Sequence, residues 1–392
     1  MFQSIGSSRA NLWITRSASR SPLPERTASG GRDNLAMHPS IASSKRGWSP
    51  SDLLQRCVDL IYRLGTLYVL GLLVLLLQHI LLPQRDGLLA LTQVFEPYLF
   101  APLLLVLPLA FLRRSALLWV AIGICGLIGL MRMGPIWISL PPLETPDAYR
   151  FSAATWNMYV ANYDFDEIGP TIAAAEANIV AMQELTPGHR TALENDAVIA
   201  ERYPFRYLEP GDSDGMGILS TFPILDQGIL RNLDRPESFP VLWARLDLGE
   251  GRTLTVVTAH PRAPHTPFRD RFPLPRAFDT SGGRADIAFL RAFVDPLLAN
   301  DEPVLLLGDF NLTEREPAYG DVAAGLTDAH LEAGLGSGNT WILSPVRRLN
   351  AGLLRIDYLF SSPQVAPLRT SVNCAIVGSD HCLLRGVFEI LR

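Results

Sequence analysis

VLLLGDFN, residues 304–311, is the stretch on which the reading of this chain turns. Its four large apolar residues, set between Pro303 and Gly308, have the length of a short strand, and Asp309 and Asn311 fall where that strand ends. The same juxtaposition recurs along the chain. Thr155-Trp156-Asn157, Met182-Gln183-Glu184, Thr258-Ala259-His260-Pro261 and Ser379-Asp380-His381 each bound an apolar run, and Arg355-Ile356-Asp357-Tyr358 opens another. Polar groups at the ends of apolar strands can converge on one edge of a sheet, which is a good place for a site. Each element alone reads as an ordinary turn or capping residue. Together, Asn, Glu, His, Asp-x-Asn, Asp and Asp-His form an inventory that independent turns rarely supply.

Around these elements, apolar runs at Phe151–Trp156, Ile179–Met182, Gly217–Ser220, Leu242–Leu246, Leu254–Ala259, Val304–Leu307, Ile356–Phe360 and Leu383–Phe388 alternate with helical patterns at Asp166–Glu176 and Arg284–Leu298. Residues 150–392 therefore read as one α/β domain, with two packed sheets and helices outside them.

The preceding chain is of another kind. Residues 1–47 are rich in Ser, Arg, Gly and Pro without apolar periodicity, the pattern of a disordered basic tail. They lack the apolar central run of a signal peptide, and Met37 is a second candidate start. Residues 48–140 hold three candidate membrane spans, 64–82, 88–112 and 116–138, each near the roughly 20 residues that cross a bilayer. Leu70–Leu77 is apolar on every face, which a soluble helix would not be. Gln78, His79 and Arg132 lie near span ends, whereas Glu96-Pro97 sits inside the second and makes it the least regular. Residues 141–149 form a Pro-rich linker that cannot continue a helix.

Arg56, Arg63 and the Lys45-Arg46 pair precede the first span, and Arg113-Arg114 separate the second from the third. The positive-inside rule assigns both flanks to the cytoplasm, so an odd number of spans delivers residues 150–392 outside it, at the plasma or inner membrane.

Charge bears on partners. Residues 145–392 carry 21 Lys+Arg against 32 Asp+Glu and no Lys at all. A protein that tracks a phosphate backbone usually carries a surplus of base, so nucleic acid is disfavoured, although bound cations offset carboxylates locally. Cys57, Cys125, Cys374 and Cys382 are too few and scattered for a disulfide scaffold or a zinc cluster. Cys57 and Cys125 read as apolar packing, while Cys374 and Cys382 flank a short loop and could pair in an oxidising compartment.

Phosphate-ester cleavage asks for this inventory. A divalent cation offsets charge on the phosphoryl oxygens, Mg2+ takes one or two carboxylates plus water and substrate, and Glu184 is the first candidate ligand. Attack needs a deprotonated water, for which a His held by a carboxylate is the simplest base, and fixed donors must meet the developing charge.

The six elements resemble the endonuclease/exonuclease/phosphatase superfamily over roughly residues 150–392, most specifically in Gly308-Asp309-Phe310-Asn311 and Ser379-Asp380-His381. Trp156-Asn157, Gln183-Glu184, Leu219–Ile224 and Arg355–Phe360 support the likeness. The resemblance implies a four-layer α/β sandwich of two mixed sheets flanked by helices, here preceded by a small transmembrane helical domain. It implies a hydrolase using Mg2+ (or Mn2+), with Glu184 as main metal ligand, Asn157 close to the metal or its water, and Asp309 and Asp380 nearby. Asn311 and His260 would contact the phosphate. His381, its tautomer held by Asp357, would be base or phosphate contact, and the sequence leaves open whether Asp309 or His381 takes the proton. Arg262, Arg269, Arg271 and Arg276, in the long Pro-rich loop after His260, could grip a phosphate headgroup. The expected function is hydrolysis of an extracytoplasmic, lipid-linked phosphate or diphosphate ester, with an extracytoplasmic nuclease as the alternative.

Overall fold

The computed structural model describes residues 49–137, 142–269, 272–343 and 349–391. The expected disorder of residues 1–47 lies outside them. Residues Gln55–Arg392 form a compact unit that contains both the apolar helices and the α/β sandwich.

Helix α1 (Pro50–Leu81) leads to α2 (Leu88–Val94), a 3-10 turn at Glu96–Phe100, α3 (Leu103–Arg113) and α4 (Ala116–Trp137). Three stretches are long and apolar enough to cross a membrane: Pro50–Leu81, Glu96–Arg113 and Ala116–Gly134. The second differs from the expected 88–112. Pro97 and Pro102 lack the N–H a continuous helix needs, so the helix breaks after Val94 and α2 becomes a separate short element.

The charges that interrupted the spans meet at this break. Glu96, fully buried, accepts from Arg132 Nε at 2.5 Å and Nη2 at 3.0 Å and lies 2.8 Å from His79 Nδ1; His79 Nε2 is 2.9 Å from Thr92 Oγ1. Three helical segments are thereby locked at one end of the bundle. Asp59, which pairs with Arg113, lies 20 residues before His79 on α1, roughly 30 Å away at the helical rise.

The sandwich follows: β1 (Tyr149–Asn157), α5 (Phe165–Ala174), β2 (Ile179–Gln183), α6 (Pro187–Asn195), α7 (Ala197–Arg202), β3 (Phe205–Glu209), β4 (Met216–Ser220), β5 (Ile224–Leu230), β6 (Val241–Gly249) and β7 (Arg252–Ala259). A small ribbon, β8 (Phe268–Arg269) and β9 (Phe272–Pro275), precedes α8 (Ser281–Ala299), β10 (Val304–Asp309), α9 (Pro317–Ala323), β11 (Thr327–Asp328), α10 (Ala329–Ala333), β12 (Asp357–Ser361), β13 (Val365–Asn373) and β14 (Leu383–Ile390). One sheet has the order β13-β14-β1-β2-β4-β3 and the other β11-β12-β10-β7-β6-β5.

Each sheet is built on one parallel pair, β1/β2 or β7/β10, flanked by antiparallel neighbours. All four parallel strands end on the same rim. Their antiparallel neighbours β12 and β14 begin there, with Asp357 opposite Asp309 and Leu384 opposite Thr155. Between the sheets lie Ala153, Ile179, Ala181, Leu254, Val256, Leu305, Leu307 and Leu359. Helices α5 to α7 cover one outer face and α8 and α9 the other. The expected four-layer sandwich is present. The edge strands β3, β5 and β13 were not legible as apolar runs because their residues are half-exposed, mixed or alternating.

Replacing Glu96 by Leu strands the Arg132 guanidinium against apolar helices and removes the partner of His79 Nδ1. The expected result is a loss of roughly 2–4 kcal/mol in unfolding stability in detergent. A variant as stable as the parent would show that His79 and Arg132 do not depend on this carboxylate.

Candidate active site

Side chains alternate between the two faces of a strand, so the residues pointing between the sheets can be followed outward along each one. Ala153 is succeeded by Thr155 and Asn157, Ala181 by Gln183, Val256 by Thr258 and His260, and Leu307 by Asp309. The layer between the sheets is oily inside and polar at its mouth. At the transition, Gln183 Nε2 donates to Thr155 Oγ1 at 3.0 Å and to Thr258 Oγ1 at 2.9 Å, joining the two sheets just beneath the rim.

Asp309 Oδ2 is the hub of the mouth. Asn157 Nδ2 donates to it at 3.0 Å, His260 Nε2 lies 3.4 Å away and His381 Nε2 3.6 Å. Asp309 Oδ1 accepts from the Asn311 N–H at 2.9 Å, closing a turn in which Asn311 has φ 53°. Gly308 is required here: a Cβ on it would lie 2.1 Å from the Ala259 carbonyl oxygen of the neighbouring strand.

Glu184 faces the hub from the other sheet, its Oε1 3.8 Å from His260 Nε2. Asn157 Nδ2 donates to Oε1 at 3.1 Å and the Val160 N–H to Oε2 at 2.6 Å. Its backbone has φ 54°, a conformation that costs a non-glycine residue energy and marks a position held by its surroundings. Buried His189 helps hold it, donating through Nε2 to the Asn162 carbonyl at 2.9 Å and accepting through Nδ1 from the Thr186 N–H at 3.2 Å.

Asn157 Oδ1 accepts from the Tyr159 N–H at 2.9 Å, and its amide nitrogen donates to both Glu184 and Asp309.

His381 Nδ1 is 2.9 Å from Asp357 Oδ2, the pairing expected from sequence, and the Asp357 N–H reaches Thr340 Oγ1 at 3.2 Å. The His381 N–H donates to Ser379 Oγ, which donates to the Asn157 carbonyl at 2.6 Å and so ties this loop to β1. A disulfide between Cys374 and Cys382 closes the same loop. His260 Nδ1 donates to the Ser213 carbonyl at 2.9 Å, which leaves Nε2 facing the carboxylates. Asp380 is half-buried, its Oδ1 has no hydrogen-bond partner, and its charge acts on His381.

The protonation states follow from this packing. Burial disfavours the His381 imidazolium, but the Asp357 and Asp309 carboxylates outweigh it and lift the ring to about 10. His260 also rises, against its burial, through Asp309 and Glu184. Asp309 is held low, despite burial, by the two imidazoles.

The donor set fits a hard divalent cation. Glu184, Asp309 and Asp357 gather carboxylates at one mouth, Asp357 and Asp380 each keep an unpartnered oxygen, and Glu184 is partly open to solvent. Asp309, Asp357 and His381 have ligand atoms within 4.8 Å of one another. Asp357 and Asp309 are both fully buried against imidazoles, and Glu184 is the carboxylate of the three that is partly open to solvent.

Not every expected residue joins. Arg262 is clamped by Asp286, with Nε–Oδ2 at 2.8 Å and Nη2–Oδ1 at 2.9 Å, and so staples the loop after β7 to α8. The side chains of Arg269 and Arg271 lie outside the described residues. Ser213, Val160 and Thr340 carried no sequence signal, because their contributions are backbone groups or a single hydroxyl in a loop.

The sandwich and the site at its mouth define a phosphoester hydrolase that depends on a divalent metal. Residues 154–381 match the model of the endonuclease/exonuclease/phosphatase family, and the chain belongs to that family. Among solved structures it is similar to truncated TDP2 of Caenorhabditis elegans, with TM-score 0.47 and 16% identity over 62% of this chain and 98% of that one. It is also similar to a family member from Bacteroides vulgatus, with TM-score 0.48 and 17% identity over 62% and 99%. A mannosyl-6-phosphatase of Bacteroides thetaiotaomicron gives TM-score 0.45 and 16% identity over 61% and 99%. A search of curated proteins finds no match.

Glu184→Gln, Asp309→Asn and His381→Ala should each lower kcat by at least about a hundredfold while the circular dichroism spectrum is unchanged. Near-normal turnover in all three would place the chemistry elsewhere.

Proposed function

We propose that this chain is a multi-pass membrane phosphoesterase whose catalytic domain stands outside the cytoplasm and hydrolyses a lipid-linked phosphate or diphosphate ester. The observation that carries this reading is the join between the two parts. Thr280 donates through its N–H to Asp86 Oδ1 at 2.8 Å, Arg284 pairs with Asp86 at 2.8 Å, and Arg85 with Asp321 at 2.8 Å. Residues flanking the apolar helices are thus ion-paired and hydrogen-bonded into the catalytic domain, which keeps the active site close to a bilayer surface.

Sidedness rests on two supports. Arg113 and Arg114 follow the second candidate span, at the end of the bundle that carries Asp59, so the positive-inside rule favours the cytoplasm for that end and the outside for the catalytic domain. The Cys374–Cys382 disulfide suits an oxidising compartment.

In this proposal Glu184 is the principal ligand of Mg2+ (or Mn2+), with Asp309 and Asp380 alongside. The cation supplies charge compensation at the phosphoryl oxygens. Asn157 orients the two carboxylates. Asp309 accepts the proton of the attacking water, Asn311 and His260 meet the phosphate, and His381, held by Asp357, donates to it as imidazolium.

Purified protein should hydrolyse phosphate esters with Mg2+ or Mn2+ and lose activity in EDTA; full activity in excess chelator would refute metal dependence. Against a panel of lipid phosphates and diphosphates, soluble phosphomonoesters and plasmid DNA, lipid-linked substrates should give the highest kcat/KM. Preference for plasmid DNA would establish the nuclease reading instead. Alkaline phosphatase fused after Arg392 should be active in cells and a cytoplasmic fluorescent protein fused there dark, and the reverse pattern would refute the outward placement.

A further inference from the structure

Beside the active site lies a second hollow, a cleft of about 490 Å3 whose walls come from both parts of the chain. Leu91 and Val94 of α2 and the following Phe95 line one side, and Phe278, Leu354 and Ile356 of the catalytic domain also line it. Two residues connect it to the chemistry. Asn311 lines the cleft and is tied by its N–H to Asp309 Oδ1, while Trp341, also in the lining, forms a β-bridge with His381.

The wall formed by α2 is built into place. The Gly87 N–H donates to the Phe278 carbonyl at 2.7 Å, and Ala90, Val94 and Phe278 pack into a small apolar cluster of their own. Gln93, fully buried, exchanges two hydrogen bonds with the Gln84 backbone, at 2.9 and 3.0 Å, and so fixes the turn between α1 and α2. The helix break after Val94 leaves α2 a separate element that packs through Ala90 and Val94 on Phe278 of the catalytic domain. Glu316, the one carboxyl among the described lining residues, is buried, and that burial raises it to about 7.

We infer that this cleft is the subsite for the hydrocarbon chain of the substrate, with α2 as its membrane-side wall and Asn311 marking where chain gives way to phosphate. The inference rests on the proposed lipid-linked substrate and adds where its apolar part is held. Pockets of this size and lining bury an apolar ligand and orient it through a few polar groups at one end. Here those polar groups belong to the catalytic mouth. A water-soluble phosphate ester would leave the cleft empty, and a nucleic acid would offer it nothing apolar of matching length.

The test uses full-length protein in lipid nanodiscs and a series of alkyl phosphates of four, eight and twelve carbons. Partition into the bilayer favours longer chains for every variant alike, so the comparison between variants decides. Each buried methylene is worth about fourfold in binding. Leu91→Trp, and Ala263→Phe from the opposite wall, should reduce the preference for the twelve-carbon over the four-carbon ester by at least about tenfold. Turnover of the four-carbon ester should stay within about twofold of the parent. Unchanged chain-length preference in both variants would overturn the subsite.

A second measurement does not need hydrolysis: a dodecyl phosphonate with a diazirine at the chain terminus is photolysed on the parent protein, with Mg2+ present. Labelling concentrated in 88–95, 275–279 or 353–356 supports the cleft, and labelling spread over the spans or confined to the soluble surface rejects it. If no ester is cleaved yet the label enters the cleft, the enzymatic proposal fails while the chain site stands.

Discussion

One carboxylate oxygen, Asp309 Oδ2, is shared among an amide and two imidazoles, and the rest of the site depends on keeping it there. A buried carboxylate is costly unless paired, so Asn157, His260 and His381 have to arrive together from both sheets. That requirement constrains register. With Asp309 opposite Asp357, Gly308 beside Ala259, and Asn157 beside Gln183, a slip of one residue in any of these pairs would turn an acid or amide toward the helices and an apolar side chain into the mouth.

The architecture supplies what that constraint needs. Two sheets with a parallel pair at the centre of each place four strand ends on one rim, while antiparallel neighbours begin on the same rim. Six chemical elements from distant parts of the chain become neighbours without any long excursion of backbone. The Thr155–Gln183–Thr258 hydrogen bonds and the large apolar layer beneath them hold the two rims at a fixed separation. A rigid mouth of this kind orients donors before a substrate arrives, which is where electrostatic stabilisation of a developing phosphoryl charge originates.

The apolar helices, three stretches of which are long enough to cross a membrane, are joined to the sandwich by polar contacts. Glu96, a carboxylate within an apolar stretch, is accommodated because His79 and Arg132 converge on it from two other helices. The same break that accommodates this carboxylate produces α2, and α2 forms one side of a cleft that ends at Asn311. A local disruption of one helix thereby shapes the surroundings of a site on the catalytic domain.

Much of this was legible beforehand. The apolar strand cores, the polar residues closing them, and the His381–Asp357 relation follow from local pattern, because side-chain alternation and strand ends are written into neighbouring residues. The α/β class and the existence of three apolar stretches are likewise composition and period, which need no partner. Tertiary structure alone decided which atom of Asn157 faces the acids, that Arg262 is spent on Asp286, and that Ser213 and Val160 serve the site through their backbone. It also decided that Cys374 and Cys382 join and that the second apolar stretch breaks to wall a cleft. Those outcomes depend on partners dozens to hundreds of residues away, and a one-dimensional pattern carries no record of which distant group will come to share a buried charge.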